Sequence, residues 1–95
     1  MLYSVPYLAV GGWHDLADAA REGPASFRFK DLCKLVEALG YLLDRQKGSH
    51  LIYRHHTRRD LPIINLQRGS GGKAKPYQVR QVLRIIEEFK LEASV

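Results

Sequence analysis

Tyr41-Leu42-Leu43-Asp44-Arg45-Gln46-Lys47-Gly48-Ser49-His50-Leu51-Ile52-Tyr53-Arg54 is the stretch that decides the fold. Two strand-like runs, Tyr41 to Arg45 and His50 to Arg54, flank a turn-like Gln46-Lys47-Gly48-Ser49. Gly48 supplies the positive φ that such a turn often needs. The pattern predicts a hairpin, with Tyr41 and Leu43 on one face of the first strand. In the second strand, alternation puts His50, Ile52 and Arg54 on one face and Leu51 and Tyr53 on the other. Both faces carry apolar residues, so the pattern leaves open which one is buried.

Downstream, Pro62 to Leu66 predicts a third strand, with proline at its entry or on an edge. His55 to Leu61 reads as a charged loop in which His55 and His56 are exposed. Gln67 to Lys75 holds three glycines and no large apolar residue, and is expected to be a mobile basic loop. Pro76 suits the first position of a helix, whose buried stripe is Val79, Val82, Leu83, Ile86 and Phe89. Upstream, Leu32, Leu35, Val36 and Leu39 have helical spacing, and Gly40 follows as a stop. Phe27 and Phe29 alternate just before that helix and are expected on the core. Trp13, Leu16, Ala17 and Ala20 mark an earlier short helix, with Asp15 and Asp18 early, Arg21 late, and Gly23-Pro24 ending it.

Three short antiparallel strands have one face to bury, and two helices can cover it. The expected fold class is therefore α+β: an αβββα two-layer sandwich with a three-stranded antiparallel sheet, preceded by a short N-terminal helix. A length of 95 residues accommodates one such domain. It is assigned to residues 26–95, with 1–25 as a leader that carries the short helix. Met1 to Trp13 is apolar but has neither a basic start nor a long apolar run. It fails as a signal peptide and as a membrane span, and is expected to be a floppy leader or an edge strand. The single cysteine, Cys33, excludes an internal disulfide and a CxxC zinc site. It borders the apolar stripe, so burial is its expected role. A cytoplasmic location is the default.

The net charge of +5 is unevenly spread. Between Arg45 and Arg84 lie ten basic residues and one acid, Asp60, while the rest of the chain is net acidic. Such segregation points to a side that faces a polyanion, with RNA as the expected partner. Histidine is the side chain that moves protons near neutral pH. His50, set beside a glycine turn among cations, is thus the candidate catalytic residue. RNA carries its own nucleophile, the 2′-OH beside the scissile phosphate, so an enzyme needs a base, charge stabilisation and alignment. Arg45, Lys47 and Arg54 are placed to stabilise the charge of the transition state, and Gly48 and Ser49 to offer N–H and hydroxyl groups to a phosphate oxygen. Lys73, Lys75, Arg80 and Arg84 surround the start of the last helix, a favourable phosphate site. No metal or cofactor is expected. Fully extended, the chain would hold His50 and His56 roughly 20 Å apart, and Gly69-Ser70-Gly71-Gly72-Lys73 lacks the spacing of a phosphate-binding P-loop.

Several pieces have a family look: Phe29-Lys30-Asp31-Leu32-Cys33-Lys34-Leu35, Leu39-Gly40-Tyr41, Asp44-Arg45-Gln46-Lys47-Gly48-Ser49-His50 and Ile52-Tyr53-Arg54-His55. Asn65-Leu66-Gln67 and Lys73-Ala74-Lys75-Pro76-Tyr77-Gln78-Val79-Arg80-Gln81 follow. Together they resemble the HicA (YcfA-like) family of small toxins from bacterial and archaeal toxin–antitoxin pairs. The resemblance runs from Phe29 to Leu91, about two thirds of the chain. It implies a fold like the double-stranded-RNA-binding domain, metal-independent cleavage of mRNA with His50 essential, and neutralisation by a HicB-like antitoxin that covers the active face. Two other functions fit the same charge pattern: a non-catalytic RNA-binding module of this fold, and a basic interaction protein that docks an acidic partner.

Overall fold

The computed structural model describes residues 13–91 of the chain. The expectation for Met1 to Trp13 therefore falls, Trp13 apart, outside the described residues. The elements in order are α1 (Trp13–Glu22), α2 (Phe29–Ala38), β1 (Tyr41–Lys47), β2 (His50–His55), β3 (Ile64–Gln67), a 3-10 turn (Ser70–Gly72) and α3 (Pro76–Phe89). The strands form one antiparallel sheet in the order β1-β2-β3. This is the α+β arrangement read from the sequence, with α1 ahead of the αβββα unit.

The helices cover one face of the sheet. Leu32, Leu35 and Val36 of α2, Val79 and Val82 of α3, and Tyr41, Ile64 and Leu66 of the sheet are fully buried in one cluster. Trp13, Ala17 and Ala20 of α1 join it, and α1 packs on both α2 and α3. Burying each large aliphatic side chain contributes about 1.5–3 kcal/mol. That apolar face holds the sheet in place and leaves its opposite face open.

α2 starts without a side-chain cap, as its sequence suggested. The stretch after β3 supplies the missing anchor. Ala74 N–H donates to Phe27 O at 2.8 Å, and Arg28 bridges to Lys73. The Arg68 guanidinium lies over the Phe29 ring, 4.8 Å from its centroid, a favourable cation–π distance. The segment expected to be a mobile loop is thus tied down. Gln67 belongs to β3, Ala74 is buried, Gly69 N–H donates to Lys73 O, and Arg68 bridges to Ala74. Backbone pairing achieves this, and composition does not register it.

Three boundaries also move. β3 starts at Ile64, not at Pro62, which has no N–H to give the ladder and precedes the strand. β1 runs on to Lys47, which pairs with His50, so the hairpin turn is only Gly48-Ser49, with Gly48 at φ +61°. β2 runs on to His55, which corrects the reading of that residue as exposed. His55 is buried. Its Nε2 donates to Leu39 O at 3.1 Å, and its Nδ1 accepts from the N–H groups of Thr57 and Arg58. A polar ring with every nitrogen partnered can be buried at little cost. His56 is exposed as expected.

Candidate functional site

β2 places His50, Ile52 and Arg54 on the open face, because Tyr53 and His55 point into the core. β1 brings cations to the same face by an irregularity. Leu43 pairs with Tyr53, but Arg45 pairs with Ile52, so Asp44 is an extra residue that makes a β-bulge. Directly opposed residues share a face. Strict alternation from buried Tyr41 would have sent Arg45 and Lys47 inward. The bulge instead sets Arg45 opposite Ile52 and Lys47 opposite His50. Both cations are exposed, and neither makes an ion pair among the described residues.

β3 completes the face with Asn65 and Gln67, which pair with Ile52 and His50 respectively. His50 is half-buried, and its Nδ1 lies 2.9 Å from Asn65 Oδ1. Beside it runs a second polar chain. Lys75 Nζ donates to Gln67 Oε1, and Gln67 Nε2 donates to Ser49 Oγ at 2.8 Å. Gln67 N–H donates to Oε1 of Gln78, a buried side chain on α3. The turn holding Gly48 and Ser49 is thereby fastened to the N-terminal end of α3.

His50, Arg45, Lys47, Gly48, Ser49 and Lys75 therefore gather at the hairpin end of the open face. Arg54 lies on the same face but four residues along β2 from His50, about 13 Å at ~3.3 Å per residue. Its guanidinium is 3.8 Å from the Asp44 carboxylate, both groups being exposed. Lys73 is exposed beside the Arg28 bridge, and Arg80 is exposed on α3. A shallow groove lined by Leu42, Leu43, Asp44, Arg54, His55, His56 and Arg59 lies at the other end of β2 and contains none of the residues near His50.

A family model described as the HicA toxin of bacterial toxin-antitoxin matches residues 29–87, well over half of the chain. The chain belongs to the HicA toxin family. As a HicA-family member it is the toxin of a toxin–antitoxin system, and an antitoxin is its partner. The matched span opens at α2 and closes within α3, so it contains every residue of the site. Comparison with curated proteins and with solved structures found no match in either set.

Asn65, Gln67 and Gln78 had no assigned role in the sequence reading. A signal for the first was present: Asn65 stands between two apolar residues, Ile64 and Leu66, and so must face away from the core. What placed it beside His50 was strand register, which the sequence does not display. Among the described residues no three His, Cys, Asp or Glu side chains lie close enough together to hold a metal ion, and no helix is long and apolar enough to cross a membrane.

Proposed function

We propose that this HicA-family toxin binds mRNA on the open face of its sheet and cleaves it without a metal, using His50 as general base. The observation that carries this reading is the bulge at Asp44, which delivers Arg45 and Lys47 to the face that holds half-buried His50. A proton acceptor and two exposed cations then face one solvent-accessible surface.

Nε2 of His50 takes the proton of a 2′-OH, and the 2′-oxygen attacks the adjacent phosphorus. The P–O5′ bond breaks, the departing O5′ takes a proton from water, and the proton held by His50 neutralises the hydroxide left behind. Lys47 and Arg45 stabilise the added negative charge on the phosphoryl oxygens. Gly48 and Ser49 offer backbone N–H groups at the turn. Arg54, Lys73, Lys75 and Arg80 hold flanking phosphates, a role that needs charge and reach but no contact with the reacting atoms. A HicB-like antitoxin silences the toxin by covering this face.

The end groups of the cut RNA test the chemistry. Attack by the 2′-oxygen leaves a 2′,3′-cyclic phosphate and a 5′-hydroxyl. Fragments with 5′-phosphate ends would mean that water is the nucleophile, and the assignment of His50 would be wrong.

A further inference from the structure

We infer that Asn65 is the positioning residue of the site, fixing the ring orientation and tautomer of His50. The inference rests on the proposed nuclease reading for its catalytic meaning, while its structural content is separate. Nδ1 of His50 and Oδ1 of Asn65 are 2.9 Å apart. A neutral imidazole carries its one proton on either nitrogen, and the partner of one nitrogen decides which. An amide oxygen accepts only, so its partner nitrogen must carry the hydrogen. Nδ1–H then donates to Asn65, and Nε2 is left with its lone pair for the 2′-OH.

Asn65 is well held for this task. Its neighbours Ile64 and Leu66 are both 0% exposed, and they pair with Tyr53 and Leu51 of β2. The backbone on each side of Asn65 is therefore clamped by the core. The amide projects from the opposite face onto a ring whose own strand is held by the same pairs. A residue fixed in this way orders the ring before RNA arrives, so less ordering is left for the transition state.

The test combines spectroscopy with kinetics on the full chain. In wild type, two-bond proton–nitrogen correlation of the His50 ring at neutral pH is expected to show the proton on Nδ1. In Asn65→Leu, which keeps the size and loses the acceptor, the ring is expected to become a tautomer mixture. RNA cleavage by that variant is expected to lose about tenfold or more in kcat with KM nearly unchanged. Asn65→Asp retains an acceptor, so it is expected to restore the Nδ1–H form and most of kcat.

A proton on Nε2 in wild type would mean that the amide is turned the other way, and would overturn the inference. Equal losses in Asn65→Leu and Asn65→Asp with an unchanged ring spectrum would also overturn it. Should wild type cut no RNA while the ring spectra behave as described, the nuclease reading fails and the positioning of His50 by Asn65 stands.

Discussion

The imidazole of His55 fills the space that a side chain at Gly40 would need. A Cβ built on Gly40 would sit 2.6 Å from His55 Nε2, and Gly40 adopts φ +100°. Gly40 O also accepts from His56 N–H at 3.0 Å. The end of α2 and the end of β2 are thus fitted to each other. Gly40→Ala brings both a clash and an unfavourable φ. It is expected to cost about 2–4 kcal/mol, read as a lowered urea midpoint with an unchanged slope.

His55 also makes stability depend on pH. Burial holds its imidazole below the ordinary value of 6.5, with nearby His56 acting in the same direction. Well above pH 6.5 the ring is neutral in both folded and unfolded chains, and its contribution is complete. As the pH falls below 6.5, the unfolded chain gains a proton that folded His55 still refuses, so stability declines until the folded ring titrates as well. Urea unfolding at about pH 7.5 and about pH 5.5 is expected to show this decline. His55→Gln, though less stable at both, is expected to show less of it. An equal decline in the two proteins would assign the effect to other groups.

Replacing Arg45 and Lys47 together by glutamine removes both cations from the His50 face and leaves the bulge at Asp44 and the strand pairing in place. If both cations contact phosphates, the slope of log affinity against log salt is expected to shrink by about 1.4 for single-stranded RNA. Circular dichroism should retain the wild-type shape, because both side chains are exposed and make no core contact. An unchanged slope in a folded variant would remove these two residues from the RNA surface.

Gln78→Leu leaves the backbone N–H of Gln67 without its partner. An unsatisfied buried donor costs about 1–3 kcal/mol. The end of β3 is also expected to loosen, and with it the Gln67–Ser49 contact. Hydrogen exchange of the Gln67 amide reads this directly, as faster exchange there than at Leu66.

The hairpin was legible because three signals agreed: apolar runs of strand length, Gly48 between them, and Leu51 and Tyr53 in step. The helices were legible from their stripes and from Pro76 and Gly40. His55 was not, because a polar residue buried by its hydrogen bonds has the same letter as one left in water. The placement of Arg45 and Lys47 was hidden for a different reason. Their parity matches that of Tyr41, and only the pairing with β2 shows that Asp44 breaks the alternation. His50 was singled out on chemistry and turn context, but its face stayed open until Tyr53 and His55 were seen to point inward. Gln67 to Lys75 has a loop's composition, and much of its anchoring comes from backbone partners at Gly69, Lys73 and Ala74 that carry no side-chain signature.

We propose that the open sheet face cuts RNA through His50 with no metal. Labelled RNA incubated with the purified protein in excess EDTA, beside His50→Ala, tests it most directly. Cleavage by wild type and none by His50→Ala is expected, with both proteins binding the RNA. Intact RNA bound equally by both would contradict it and leave an RNA-binding module without turnover. Cleavage that survives in His50→Ala would place the chemistry on another residue.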